Sequence, residues 1–420
     1  SDAPPERVAL KVLLAQDHIS FDSRYAVPYE TLHPHVAIEV VTLPKEADAA
    51  TVRQWIEREQ ADIVWVLNPA YHALAAEGKL VSLEDRLPDA ASADVKLHRP
   101  VFDVVRHYGG GELFGIPASF SSRGIFYNRS LFDEWGLSYP ADGMTWRQLF
   151  DLAAGVPDKD RRSNPTRALQ ASLVNPAYLP LEMALTDGIR YYDPESRRFT
   201  LNTESWRDVL QEALEAHRMQ LLYEGTVQTS DIETDDGVIG GAVSERQLIA
   251  PFAEGRAAMG IFPSYMFEAL QDRPPPFEWG VVSAPSDSAT RTAGIATDTW
   301  LIYGIMASSP QQEEAWSFLK FLLNDENQSE YVLFTQDLPM NADLIDDPRK
   351  AAFYKQEPLR AYYESQYQLP AELNGWYAEF ERMWTELRAG DAEVDRVLAD
   401  LQNRLQAEAD KRMPPRTGQP

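Results

Sequence analysis

The chain has no cysteine among its 420 residues. That excludes disulfides, thiolate nucleophiles and every zinc or iron–sulfur site built on cysteine. Histidine is scarce as well, with 7 residues and neither a His-Glu-x-x-His run nor an i, i+4 pair, so no zinc-binding helix is encoded and no metal site is expected. Basic residues are outnumbered: 39 Lys and Arg stand against 65 Asp and Glu, a net charge of −26. Such a surface repels a phosphate backbone, so nucleic acid is not a partner. No basic cluster offers anionic substrates a local pocket. No apolar run approaches the ~20 residues that span a bilayer. A Gly-x-Ser-x-Gly elbow is missing, and the strand–helix alternation stops well short of the eight units of a (β/α)₈ barrel. The polar, Pro-rich start Ser1-Asp2-Ala3-Pro4-Pro5-Glu6-Arg7 lacks an apolar signal core and reads as a tether behind a processed or trimmed end.

What is present is a globular composition, 44% apolar and 11% aromatic. The length suggests two or three domains. Residues 8–14, 36–41 and 61–67 read as strands, and residues 49–60 and 70–77 as helices, which together indicate an α/β lobe with a mostly parallel sheet. Ligands on such sheets sit beyond the carboxyl ends of the strands, here the loops at residues 16–20 and 67–71. Residues 101–116 read as two strands turning at Gly109-Gly110-Gly111, since no helix start follows the glycines as a phosphate loop requires. The acidic run at residues 231–237 reads as a solvated loop, because its glycine and its twelfth position do not fit a calcium loop. Thr145…Gln148 and Ser244…Gln247 are capping boxes opening helices. Ser309-Pro310 signals another helix start, and Asp325 a further one. Helices are expected over residues 203–222, 313–323, 347–366, 371–388 and 392–411, and strands over residues 257–263, 279–285 and 293–302.

The stretch at residues 112–146 joins two such patterns. Its elements Phe114-Gly115-Ile116-Pro117, Tyr127-Asn128, Leu131-Phe132, Gly136-Leu137 and Thr145-Trp146 resemble the junction of extracellular solute-binding proteins of the maltose-binding type. Phe252-Ala253-Glu254-Gly255-Arg256-Ala257-Ala258-Met259 is similar to a strand entry of that family. Glu314-Ala315-Trp316-Ser317-Phe318-Leu319-Lys320-Phe321-Leu322 with Asp325-Glu326 is similar to a later helix of it. The resemblance implies a two-lobed α/β periplasmic-binding-protein fold with a ligand cleft between the lobes. Carried onto this chain, the N-terminal lobe holds residues 1–115 and 297–340 and the C-terminal lobe residues 117–295 and 341–420. Hinge crossings fall near 115–117, 294–298 and 339–341. It also implies an extracytoplasmic, monomeric protein, periplasmic or held at the cell surface by a lipid anchor. Such a protein passes a sugar to the membrane permease of an ABC importer without catalysis or cofactor. Ligand sensing for a membrane receptor and glycoside hydrolysis stay open as alternatives.

A sugar has apolar C–H faces and a rim of hydroxyls, so aromatic rings and paired hydrogen-bonding side chains recognise it. The resemblance and the strand-end rule together nominate Gln16, Asp17, Asn68, Tyr71, Phe120, Ser121, Ser122, Tyr265, Asp298, Trp300, Trp376 and Tyr377 as ligand contacts. Glu182 and Asp187 are secondary candidates for accepting hydroxyls. Arg123 reads as a surface ion-pair residue.

Overall fold

The computed structural model describes residues 3–17, 19–90, 96–157, 166–173, 175–225, 230–234 and 237–413. The chain divides into two compact units, unit 1 from Ser1–Ser122 with Thr297–Tyr354 and unit 2 from Arg123–Ala296 with Lys355–Pro420. Among the described residues no helix is long and apolar enough to cross a membrane.

Unit 1 is built on a five-stranded sheet in the order Val36–Thr42, Val8–Leu14, Ile63–Leu67, Leu301–Ile305, Ile116–Pro117. The first three strands are parallel; the central Ile63–Leu67 is a continuous apolar run, whereas the edge strand Val36–Thr42 carries Glu39 and alternates buried with exposed residues. Leu301–Ile305 runs antiparallel to both of its neighbours, so the sheet is mixed. The expected single strand over residues 293–302 is in fact two elements: Ala293–Gly294 pairs in unit 2 with Glu357–Pro358, and the chain then enters the unit 1 sheet. Tyr303 stacks on Trp65 with ring centroids 4.8 Å apart and planes 4° from parallel, and both are buried. Asp62, at the entry to the third strand, is buried but satisfied. Its carboxylate accepts from the Lys11 amide at 2.8 Å and from the Ser309 hydroxyl at 2.6 Å. The Ser309 hydroxyl serves twice, donating to Asp62 and accepting from the Gln311 amide at 3.0 Å just ahead of the helix Gln312–Leu322, whose cap position Gln311 makes no side-chain cap bond. The next helix, Asp325–Thr335, is capped by Asn324, whose side chain accepts from the Asn327 amide, and not by Asp325.

The hairpin expected around Gly109-Gly110-Gly111 is a helix, Arg99–Tyr108. Its valines suggested strands, but Val101, Phe102, Val104, Val105 and Tyr108 recur at helical spacing and all are buried, and Pro100 fills the first turn. The glycines end that helix, with positive φ at Gly110 and Gly111. The expected crossings move too. Ile116 and Pro117 pair with Tyr303 and Ile302, so the first connection follows Ser122 instead. Asn341 is buried, its amide donating to Gln328 Oε1 at 2.9 Å, and the last connection follows Tyr354. Residues 117–122 and 341–354 therefore belong to unit 1.

Unit 2 carries a four-stranded sheet in the order Trp279–Ser283, Arg123–Asn128, Ala257–Pro263, Arg167–Gln170. Only the last pair is parallel. Both capping boxes form, at Thr145 before Trp146–Ala154 and at Ser244 before Glu245–Ala253. The helices Tyr178–Thr186, Glu204–Arg218, Trp376–Arg388 and Val394–Arg412 contribute to the main core. The helix expected over residues 347–366 is broken into a 3₁₀ segment, Pro348–Tyr354, and a short α-helix, Arg360–Ser365. Residues 235–236 of the expected acidic loop lie outside the described residues. Their flanks are not a loop: Ser230–Thr234 and Gly237–Ala242 pair antiparallel.

Gly115 tests the packing of unit 1. A Cβ there would lie 2.5 Å from Ile302 Cγ2 and 2.6 Å from the Tyr303 carbonyl oxygen. Backbone cannot yield cheaply, so Gly115→Ala should destabilise the protein by about 1–3 kcal/mol in denaturant titration. An unchanged midpoint would contradict the strand pairing described here.

Candidate functional site

The parallel strands of unit 1 end on one edge of the sheet, and the loops there carry Gln16, Asp17 and Asn68. Next to them the strand Leu301–Ile305 is preceded by Asp298-Thr299-Trp300. Asn68 grips this segment twice, donating its backbone amide to the Trp300 carbonyl and its side-chain amide to the Thr299 carbonyl, each at 3.0 Å. Asp298 accepts from the Tyr108 hydroxyl at 2.9 Å and from the Thr299 amide at 2.8 Å. Its backbone pairs in both directions with Ser121 at 2.9 Å. The outcome is a clamped turn that holds Trp300 outward. Of ten tryptophans Trp300 alone is exposed, at 57%.

Two hollows flank that indole. The first, about 340 Å³, is lined by Gln16, Asp17, Thr42, Lys45, Leu67 and Trp300 among others. The second, about 320 Å³, is lined by Gln16, Ser119, Trp300, Phe334, Thr335 and Asp337 among others. Phe334 is also exposed, at 56%, and the Arg24 guanidinium lies 3.7 Å over its ring. Asp337 accepts from the Ser119 hydroxyl at 2.8 Å, and burial pushes its carboxyl up to about 6. Two aromatic faces thus border a hollow holding a carboxylate, hydroxyls and an amide.

The twelve residues read from the sequence are placed differently. Gln16, Asp17 and Trp300 line the hollows, although Asp17 also accepts from the Phe21 amide at 2.8 Å. Asn68, Asp298 and Ser121 hold the Trp300 turn by the bonds above. Three others are corrections. Tyr71 is 0% exposed, its hydroxyl donating to the Val105 carbonyl at 3.1 Å and accepting from the Phe114 amide at 3.2 Å, so it is a core residue. Phe120 is buried against His98 and Tyr354, with ring centroids 5.3 and 5.1 Å away. Trp376 is buried in the unit 2 core, stacked on Tyr191 at 4.0 Å. Ser122 is buried. Tyr265 and Tyr377 are half-buried in unit 2, and burial pushes the Tyr377 hydroxyl up to about 12. Ser119, Phe334 and Asp337 also line the second hollow and were not among the residues read from the sequence. Phe334 lies near the end of the helix Asp325–Thr335, and Asp337 follows Gln336, whose left-handed backbone ends that helix.

In unit 2, Arg123 and Glu182 form an ion pair at 2.5 Å, Glu182 being buried. Burial raises the Glu182 carboxyl above its ordinary value, and Arg123 only partly offsets that. Arg123 is therefore no surface salt-bridge residue. Asp187 accepts from the Ser288 amide at 2.7 Å and its hydroxyl at 3.1 Å. Among the described residues no group of three or more His, Asp or Glu side chains is placed to hold a metal ion.

Comparison with known proteins gives this site its context. The model of the bacterial extracellular solute-binding proteins matches residues 24–361. An ABC transporter-binding protein of Deinococcus radiodurans is 28% identical over 131 residues, 30% of this chain and 30% of that one. A binding protein of Brucella abortus is 25% identical over 237 residues, 56% of this chain and 52% of that one. The matches thus span about half, or less, of these relatives' length. Among solved structures, the sugar-binding protein MalE of Xanthomonas citri superposes with a TM-score of 0.69 at 18% identity, over 96% of this chain and 98% of its own. The cyclic α-maltosyl-1,6-maltose-binding protein of Arthrobacter globiformis does so with a TM-score of 0.63 at 18% identity, over 96% and 100%. These structures share the fold, a MalE-like mixed α/β architecture. The family match covers most of the chain, and the protein belongs to the bacterial extracellular solute-binding proteins, a family of binders and not of enzymes.

Proposed function

We propose that this protein captures a neutral sugar or short oligosaccharide outside the cytoplasm and delivers it to the membrane permease of an ABC importer. The observation that carries the reading is the clamped, exposed Trp300, facing a hollow that Phe334 also lines. Aromatic faces take the C–H faces of a sugar ring, while Gln16, Ser119, Thr335 and Asp337 supply donors and acceptors for its hydroxyls. The structural neighbours named above as sugar- and maltose-binding proteins support the ligand class, and the Deinococcus relative supports the importer. A periplasmic or surface-anchored location follows from the same role. Tyr265 and Tyr377 are also proposed as ligand-contact residues.

Tryptophan fluorescence should change on titration with at least one of glucose, maltose, maltotriose or trehalose. Trp300→Ala should weaken that binding by about 1–3 kcal/mol in calorimetry, and Phe334→Ala by a similar amount. Silence toward every saccharide, with heat on adding an oligopeptide or a polyamine, would remove the sugar assignment.

Asp337 adds a pH dependence whose sign is fixed. In the unfolded chain its carboxyl ionises near its ordinary value of 3.8; in the fold it keeps its proton up to about 6. The folded state binds more protons between those values, so this group lowers stability as pH rises through that window and holds the loss above it. Asp337→Asn should therefore stabilise the protein at pH 7.5, by on the order of 1 kcal/mol, and less at pH 5. The ionised carboxylate is the better acceptor for sugar hydroxyls. Saccharide affinity of the wild type should fall from pH 7.5 to pH 5, and stay level in the Asn variant. Equal pH profiles for the two proteins would take Asp337 out of the site.

A further inference from the structure

A second cavity lies within unit 2 alone, about 420 Å³ in volume. It sits where the strand Arg167–Gln170 ends, under the helix Trp376–Arg388. Its polar wall is unusual. Among the described residues, eight buried side-chain nitrogen or oxygen atoms have no hydrogen-bond partner, and four of them belong to residues lining this one cavity: Gln170 Oε1, Ser172 Oγ, Trp384 Nε1 and Arg388 Nε. Gln170 is 1% exposed and Trp384 2%. Leaving a buried donor or acceptor unpaired costs about 1–3 kcal/mol. Four such groups gathered around one space are a cost the fold has no reason to carry unless something else pairs with them.

The arrangement is otherwise well fixed. Gln170 Nε2 donates to the Leu248 carbonyl at 2.7 Å, which orients the amide and leaves its oxygen over. The backbone of Tyr223 bonds to Leu169 at 2.8 Å, setting that wall along the strand. Glu224 is held by His217 at 2.7 Å and by Arg388 at 3.4 Å. Leu173, Pro176, Leu179 and Leu222 provide an apolar floor. The orphan atoms are themselves shielded, but each sits on a side chain that faces the cavity, so small rotations about its χ angles present it to a guest.

The chemistry of the four groups restricts the guest. Trp384 Nε1–H and Arg388 Nε–H are donors only, and Gln170 Oε1 is an acceptor only. A carboxylate would satisfy the first two but leave Gln170 unpaired and confront Glu224. An ammonium would satisfy Gln170 and leave both donors unpaired. A hydroxyl both donates and accepts. We propose that unit 2 carries a second small-molecule site, built by Gln170, Ser172, Trp384 and Arg388, for a neutral polyhydroxylated compound. It stands on unit 2 and does not rest on the role given to Trp300.

The test follows the Trp384 indole N–H by ¹⁵N NMR, assigned through Trp384→Phe, during titration with myo-inositol, sorbitol, glucose and maltose. At least one should shift it, equally in the wild type and in Trp300→Ala, where the first site is disabled. Ser172→Ala deletes an atom that bonds to nothing in the fold, so it should not lower the unfolding temperature, whereas Trp384→Phe also trims a buried core ring and is expected to lower it. Calorimetry in the Trp300→Ala background should nevertheless show binding at least fivefold weaker for each. No shift with any of the four compounds would overturn the proposal, as would a shift that disappears in Trp300→Ala. Crystals soaked in the same compounds that hold only ordered waters against the four atoms would do so too.

Discussion

The structure of unit 1 depends on one strand arriving late. Leu301–Ile305 enters between Ile63–Leu67 and Ile116–Pro117 and bonds to both. Without it those two would be left as buried edges with open amides and carbonyls, which a folded interior does not tolerate. The Trp65–Tyr303 stack forms across this insertion, and Gly115 is small because Ile302 and the Tyr303 carbonyl crowd it. The same requirement shapes the site. The strand must begin at a fixed point, so the residues before it are gripped by Asn68, Asp298 and Ser121, and Trp300 leaves that grip pointing into water.

Three carboxylates, Asp62 and Glu182 buried and Asp337 half-buried, show how differently the fold spends polar groups. Asp62 has a backbone amide and a hydroxyl as donors, and it ties the sheet to the start of a helix. Glu182 has a full charge, Arg123, beside it. Asp337 has mainly the Ser119 hydroxyl, and its carboxyl rises accordingly. Carboxylates fully committed to their neighbours hold architecture together; the one left short of partners lines a hollow. An under-served group in a concave wall is where an added hydroxyl gains most.

Much of this was legible in the sequence. The apolar runs VALKVLL and IVWVL gave away parallel strands because they are buried on both faces. The capping boxes at Thr145 and Ser244 were readable because their bonds are local. What failed was non-local. Valines in Arg99–Tyr108 carry strand propensity, and only packing on one face makes the segment a helix. Ser309 was read as a helix start, and its hydroxyl does accept the Gln311 amide there, but its second bond, to Asp62 far away in sequence, was not readable. Tyr71, Phe120 and Trp376 were nominated for position along the chain, whereas ligand contact requires exposure, which sequence does not carry. Trp300 was nominated by resemblance, and Phe334 and Asp337 were not nominated, since lying beside Trp300 in one hollow is a property of the fold.

The two candidate sites obey one topological rule. Gln16 and Asn68 follow the carboxyl ends of parallel strands in unit 1. Ser172 follows such an end in unit 2, since Arg167–Gln170 runs parallel to Ala257–Pro263. At those ends the chain leaves the sheet, backbone groups lose their ladder partners, and side chains converge from several loops. Their contents then differ. Unit 1 presents exposed rings with a carboxylate behind them, suited to a ligand that is caught and released. Unit 2 presents unpaired donors and an acceptor over an apolar floor, which suits a guest that can donate and accept at once. Each of those groups gains a partner only when something enters the cavity, so what binds there is selected by hydrogen-bonding capacity, whereas unit 1 selects first by an apolar face.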